Sequence, residues 1–393
     1  MRFIDNPKNN DKLSALGFGF MRVGRDESKN EELLKFAVEN GINYIDTAYI
    51  YPGNEDLLGR LLEKTGLRTS VKIATKLPTY LTKNTDDAKR IFAASMRRLR
   101  TDYIDYYLIH MLANVAELDR LKKIGVLDYL IELKKSGTIK NLGFSYHGNS
   151  NSFIELINAY DWDFCMIQYN YIDEHTQAGR KGLEHAAGKN IPVIIMEPLR
   201  GGMLADKNRL PGDVMKIIND FPEKREPVEW ALRWLWNQPA VSMVLSGMKN
   251  INDMKSNIKI CNSINPETIN ADETQAIEQI TNIFRKQQYV PCTACGYCVP
   301  CPRGVDIPQC FDLYNQRAQK NHKSNIISKG LARTFYLMRT LGANAGKCSG
   351  CRACEPKCPQ EIGIAAEMGR VRRKMEGLFY RPVSYIIKKF LKR

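Results

Sequence analysis

From Leu13 to about Ile260, short apolar runs alternate eight times with helical patterns, and this alternation constrains the fold more than any other feature of the chain. The candidate strands are Leu13–Gly19, Tyr44–Thr47, Val71–Thr75, Ile104–Ile109, Gly143–Phe144, Met166–Gln168, Val193–Met196 and Met243–Leu245. Between them, helical periodicity marks segments such as Glu32–Asn40, Asp86–Arg100, Leu121–Ser136 and Val228–Asn237. Glu39-Asn40-Gly41 and Lys135-Ser136-Gly137 carry the glycine that ends a helix. Eight strands alternating with helices over ~250 residues imply a parallel sheet closed into a (β/α)8 TIM barrel. The rival is an open doubly wound sheet, which usually begins with a Gly-rich phosphate loop. Here Gly17-Phe-Gly19-Phe-Met-Arg lacks both the third glycine and the helix behind it, so the barrel is preferred.

A barrel places its chemistry at the C-terminal ends of its strands. Asp46 ends the second strand, Lys76 the third and His110 the fourth, and Tyr51 follows the second in its loop. A phenol with a pKa of about 10 is a weak acid at neutral pH. A nearby ammonium favours its phenolate, and a carboxylate keeps that ammonium charged and aimed. A neutral histidine can hold a carbonyl oxygen beside the phenol. Taken singly, Lys76 reads as a surface cation and His110 as a core histidine. At successive strand ends, the four read as a proton-transfer set.

Eight of the eleven cysteines lie in two dense runs, Cys292, Cys295, Cys298 and Cys301, then Cys348, Cys351, Cys354 and Cys358, with Pro302 and Pro359 closing them. Three thiolates at C-x2-C-x2-C spacing with a further Cys-Pro can wrap a [4Fe–4S] cube, and in two-cluster ferredoxins the fourth cysteine of each run serves the other run's cluster. A zinc site would close with four ligands in two pairs and leave thiols over. Disulfides need an oxidising compartment, and Met1-Arg-Phe-Ile-Asp lacks the apolar core of a signal peptide. Two [4Fe–4S] clusters are therefore expected. Cys301 follows Cys298 after two residues rather than three, which leaves Cys310 as a rival ligand, though Cys310 reads better as a free buried thiol. Cys165 and Cys261 sit in apolar surroundings and read as core.

Over roughly residues 1–285 the chain resembles the aldo-keto reductase family. Ile45-Asp46-Thr-Ala-Tyr-Ile-Tyr51 with Glu55 and Gly59 is similar to the family's signature around its catalytic aspartate and tyrosine. Ala74-Thr75-Lys76 and Leu108-Ile109-His110 fall where its lysine and histidine belong. Gly143-Phe-Ser145, Gln168-Tyr-Asn170, Pro198-Leu199 with Gly201-Gly202, and Ser246-Gly247 ending in Asn257 resemble its nicotinamide-dinucleotide contacts. The resemblance implies NADP(H)-dependent interconversion of a carbonyl and an alcohol, hydride going to carbon and Tyr51 giving the proton. It also implies Lys249 as the cation for the phosphate on the adenine ribose. The family usually has Asn after the serine of strand five, where Tyr146 and His147 stand. It often stacks an aromatic on the nicotinamide, where Met196-Glu197 stand. Pro52-Gly53 follow Tyr51 in place of a direct glycine, so the loop that aims the phenol differs.

Between Pro302 and Lys347 the spacer has helical pattern over Gln309–Gln319 and Ile327–Leu341, and it resembles an α-helical ferredoxin module. The expected organisation is a barrel over 1–285, a two-cluster domain over 286–368 and a basic amphipathic tail over 369–393. Of the net charge of +15, residues 366–393 contribute +7, with nine Lys or Arg against two Glu. Nucleic acid is not the expected partner, because so much of the excess sits at one end. The tail, with Leu378, Phe379, Tyr385, Ile386, Ile387, Phe390 and Leu391, reads first as packing on its own domain and second as touching an anionic membrane or a protein. No apolar stretch approaches the ~20 residues of a membrane span, and a cytoplasmic location is expected. Clusters pass single electrons whereas a nicotinamide gives up hydride. Three functions follow: an oxidoreductase whose clusters exchange electrons with the site or a redox partner, with room for a flavin between them; a plain NADPH carbonyl reductase with structural or docking clusters; or a nucleotide-binding redox sensor.

Overall fold

A computed structural model of the protein describes residues 1–9, 11–287, 289–293, 296–320, 326–377 and 380. It divides into two compact units, Met1–Leu199 with Glu226–Glu273, and Arg200–Arg225 with Thr274–Arg393.

The first unit opens with an antiparallel hairpin of β1 (Phe3–Asp5) and β2 (Lys12–Ser14). Eight parallel strands then close a barrel: β3 (Leu16–Gly19), β4 (Tyr44–Asp46), β5 (Lys72–Pro78), β6 (Ile104–His110), β7 (Ile139–Tyr146), β8 (Phe164–Gln168), β9 (Val193–Met196) and β10 (Met243–Ser246). β10 pairs with both β3 and β9, so the sheet has no edge. The strands are legible as apolar runs because a parallel sheet covered by helices is buried on both faces. The expected single strand Leu13–Gly19 is two: the chain turns at Ala15, so Leu13 belongs to the hairpin and Leu16 to the barrel. Leu13, Tyr44, Tyr106, Phe164, Met166 and Ile194 fill the barrel interior together.

The helices start on caps the sequence provides. Asp26, Asn84, Asn114, Asn149 and Asn250 each accept a backbone N–H from the first turn of the helix that follows. The expected helix Leu121–Ser136 is instead two, Val115–Lys123 and Val126–Lys135, because Gly125 between them adopts φ +70°. Gly59 lies in the Asn54–Thr65 helix, where a Cβ would stand 2.1 Å from the carbonyl oxygen of Arg98. Only glycine lets that helix pack so closely on the Thr85–Leu99 helix.

In the second unit, the helices Gly212–Asp220, Ile307–Lys320, Ile326–Arg339 and Ile364–Met375 join the second part of the Ala271–Gln287 helix. Val290, Val305, Phe311, Tyr336, Ile364 and Val371 form its core, with six of the cluster-run cysteines in or against it. Arg209 pairs with Asp312 at 2.9 Å, and so ties the segment after β9 to the Ile307–Lys320 helix. Tyr380 is buried and packs on Tyr336 at 6.1 Å between ring centroids. The rest of the tail's apolar residues, from Leu378 and Phe379 to Leu391, lies outside the described residues. Among the described residues, no helix is long and apolar enough to cross a membrane.

Candidate active site and cluster cavities

At the mouth of the barrel Asp46, the last residue of β4, meets Lys76 on β5. The Lys76 Nζ donates to both carboxylate oxygens of Asp46, at 2.6 and 2.7 Å, and to the Thr47 carbonyl at 2.6 Å. All three ammonium protons are thereby directed, and the side chains are 2% and 8% exposed. Burial pushes Asp46 up and Lys76 down, and their mutual attraction opposes both shifts. With contacts this short in a site this closed, we read the pair as ionised.

Tyr51 stands over this pair. The Lys76 ammonium lies 5.2 Å from the centre of its ring, and His110 meets it edge-on at 6.4 Å between centroids. The loop that carries Tyr51 is held at three points. The Tyr51 N–H donates to Ala48, the Asn54 N–H donates to the Tyr51 carbonyl, and the Asn54 amide donates to the Phe20 and Met21 carbonyls. Gly53 supplies the turn at φ +75°. Behind the loop, buried Glu55 accepts from Thr75 at 2.7 Å and pairs with Arg98 at 3.1 Å. His110 is pushed well below its ordinary pKa, first by burial and then by Lys76 and His147, so its ring is neutral at neutral pH.

His147, which sequence reading registered only as a departure, is a second buried imidazole in this region. It contacts Gln177 at 3.2 Å through Nδ1, and burial lowers its pKa to about 4. Gln177 takes a φ of +58°, uncommon for a residue with a Cβ.

The expected nucleotide contacts fall on neighbouring strands. Ser145, Gln168 and Met196 stand near the ends of β7, β8 and β9, with Gln168 in register with Met196. The Ser145 hydroxyl accepts the N–H of Met111 at 3.0 Å, which braces the turn after His110. Gln168 and Asn170 each donate their amide to Asp173, a residue sequence reasoning missed. Pro198 and Leu199 follow β9, whereas Gly201, at φ +67°, belongs to the second unit. Ser246 ends β10 and accepts from Asn257 at 2.7 Å, Gly247 follows it, and Lys249 is exposed just before the Ile251–Ser263 helix.

In the second unit the cysteines divide between two cavities. Cys292, Cys298 and Cys358 line one. Cys301, Cys348, Cys351 and Cys354 line the other. Each cavity thus combines one run with the last cysteine of the other run; Cys295 lies outside the described residues. No three described His, Cys, Asp or Glu side chains converge as ligands of one ion. Thiols spaced around a cavity suit a cube of four irons better than a single zinc. Cys310 lines neither cavity. Its sulfur lies 3.4 Å from the Tyr336 hydroxyl, which donates to Glu376 and accepts the N–H of Ala345, three residues before Cys348. Burial pushes the Cys310 thiol up to about 12, as fits a packed, protonated thiol. Cys165 and Cys261 are buried in the first unit, as expected.

This geometry agrees with comparison to known proteins. Residues 15–282 match the aldo/keto reductase family and residues 291–363 match the 4Fe-4S dicluster domain. The chain belongs to the aldo/keto reductase family, with a 4Fe-4S dicluster domain following the barrel in sequence. An uncharacterized oxidoreductase of Bacillus subtilis (strain 168), YqkF, is 25% identical over 298 residues, covering 68% of this chain and 93% of its own. An aldo-keto reductase of Mycobacterium marinum (strain ATCC BAA-535 / M) is 28% identical over 253 residues, covering 63% and 82%. The solved holo form of the aldo-keto reductase AKR11C1 from Bacillus halodurans is 26% identical with a TM-score of 0.60, over 71% of this chain and 96% of its own.

Proposed function

We propose that the barrel interconverts an aldehyde or ketone and its alcohol with NADP(H), and that two [4Fe–4S] clusters in the second unit exchange electrons with this chemistry or with a redox partner. The observation that carries the first part is the Lys76 ammonium, held by Asp46 at 2.6 Å and set 5.2 Å from the Tyr51 ring beside a neutral His110. Bound nicotinamide supplies the hydride. Tyr51 gives its hydroxyl proton to the substrate oxygen, and Lys76 stabilises the phenolate left behind. Asp46 and the Thr47 carbonyl aim that ammonium, and His110 holds the substrate oxygen. In the reverse direction the Tyr51 phenolate takes the proton from the alcohol. Ser145, Gln168, Met196, Pro198, Leu199, Ser246, Gly247 and Asn257 are the proposed nucleotide contacts of the first unit. Lys249 before the Ile251–Ser263 helix is the cation for a ribose phosphate, which favours NADP over NAD.

For the clusters, we assign Cys292, Cys295, Cys298 and Cys358 to one cube and Cys301, Cys348, Cys351 and Cys354 to the other; the division of the cysteines between two cavities supports this. Bound cubes pass electrons singly. Cys351 is exposed, and Arg303 and Arg352 line its cavity, so the second cube is the one placed to meet an external carrier. A flavin remains the natural converter between hydride and single electrons, and anaerobic extraction of the purified protein would reveal it. The barrel chemistry is tested by Tyr51→Phe. This variant should keep nucleotide affinity and iron content yet lose about 10²-fold or more in carbonyl reduction. Full carbonyl reduction by Tyr51→Phe would sink the assignment of Tyr51 as proton donor, whereas an unchanged phenotype in Tyr51→Phe, with function lost on removal of the clusters, would favour a nucleotide-binding sensor.

A further inference from the structure

The β8–β9 side of the barrel mouth contains a buried side-chain relay. Gln168 Nε2 donates to Asp173 Oδ2 at 2.9 Å, and Asn170 Nδ2 donates to the same oxygen at 3.1 Å. Gln168 and Asn170 are 0% exposed and Asp173 is 5% exposed. The orientation of Asn170 is fixed a second time, because its Oδ1 accepts the N–H groups of Ile172 and Asp173 at 3.1 and 3.0 Å. A carboxylate accepts and does not donate, so the nitrogen end of the Gln168 amide must face Asp173. Its oxygen end is thereby turned the other way. That oxygen, Gln168 Oε1, is buried and accepts no hydrogen bond from any described residue. A buried acceptor left open at a strand end of the barrel mouth is suited to a ligand that brings a donor. Two strands' width of chemistry agrees with this: on adjacent β7, the Ser145 oxygen already accepts from Met111, so its own O–H is free to be donated. An outward carbonyl from Gln168 and a hydroxyl donor from Ser145 complement the two ends of a primary carboxamide.

We propose that Asp173 is a positioning residue that locks the Gln168 amide with its carbonyl toward the nucleotide, so that the site reads the NH2 of the nicotinamide carboxamide. This rests on the nicotinamide reading given above. Asp173 touches neither substrate nor hydride; it acts through Gln168. Without the carboxylate, the amide can present either end, and the site loses its ability to tell a carboxamide from a group of the same shape that only accepts.

The test is a ratio of affinities, measured by titration calorimetry on the intact, cluster-loaded protein with NADP⁺ and with its 3-acetylpyridine analogue, whose methyl replaces the NH2. Wild type should prefer NADP⁺ by about 3- to 10-fold, the worth of one neutral hydrogen bond. In Asp173→Ala the preference should fall toward one. Asp173→Asn, whose carbonyl can still accept from both amides, should restore most of it. Binding of 2′,5′-ADP, which has no nicotinamide, should be the same in all three proteins and reports that each is folded. An unchanged ratio in Asp173→Ala with normal 2′,5′-ADP binding overturns the proposal. If Asp173→Ala fails to fold, Asp173→Ser with the same pair of ligands decides it. Failure of the wild type itself to bind NADP⁺ would overturn the nicotinamide reading instead, and the two failures are thus distinct.

Discussion

Asp46→Asn removes one charge from a buried pair and leaves the geometry nearly unchanged. Lys76 is 2% exposed at its side chain and spends two of its three protons on Asp46. Leaving one member of such a pair charged and unpaired costs about 3–5 kcal/mol. The variant can avoid part of that cost by releasing the Lys76 proton. Burial already lowers the Lys76 pKa, and the opposing contribution of Asp46 disappears in the variant. The sign follows from linkage. An unfolded lysine titrates at about 10.4, so between the lowered folded value and 10.4 the unfolded chain binds more protons, and stability rises with pH. The deficit of Asp46→Asn against wild type should therefore be largest near neutral pH and narrow toward pH 10. Urea unfolding followed by tryptophan fluorescence measures it cleanly, because Trp162, Trp230, Trp234 and Trp236 all lie in the first unit. Activity should fall about 10²-fold or more, because a neutral Lys76 no longer favours the phenolate. Asp46→Asn with Lys76→Met should recover most of the stability and none of the activity. A loss below about 1 kcal/mol with no pH dependence would refute the claim that Asp46 holds Lys76 charged.

Two other outcomes follow from named groups. Cys301→Ala should disturb the cluster it shares with Cys348, Cys351 and Cys354, seen as lost iron and an altered EPR signal, whereas Cys310→Ala should retain full iron; the reverse pattern would reassign the ligand. His147, lowered by burial from 6.5 to about 4, stays neutral in the folded chain while the unfolded chain protonates, so stability is full above about pH 6.5 and falls toward pH 4 by about 3 kcal/mol; His147→Asn should flatten that slope of urea midpoint against pH.

The barrel was legible because each of its strands is a short apolar run, and the catalytic candidates were legible because a barrel puts chemistry at strand ends. The hairpin strand Phe3–Asp5 was not legible: three residues with alternating exposure carry too little pattern. β7 runs from Ile139, well before Gly143, and its polar start hides it. Lys140 is exposed, and Asn141 is buried with its amide donating to the Asp105 carbonyl and its oxygen accepting from Asn9. The break at Gly125 was hidden because helical periodicity continues on both sides of it. The two cysteine runs were legible from their spacing, whereas the meeting of Cys301 with Cys348 around one cavity was not, because it depends on how the segment between the runs folds back. Asp173 had no signal at all. It sits in an aperiodic loop, and its meaning depends on which end of an amide faces it.

Direct passage of hydride from nucleotide to carbonyl carbon at the Tyr51 site is the step on which the proposed function rests. Its most direct test is reduction of a panel of aldehydes by the cluster-loaded protein with NADPH deuterated at C4, in ordinary water and without oxygen, with the alcohol analysed by mass spectrometry. The expected alcohol carries one deuterium on the carbinol carbon, transferred from one face of the nicotinamide only. An alcohol whose new carbon-bound hydrogen comes from water would rule out direct transfer, and would mean either that hydride passes through a carrier that exchanges with water, such as a reduced flavin, or that the carbonyl is reduced by single electrons and protons.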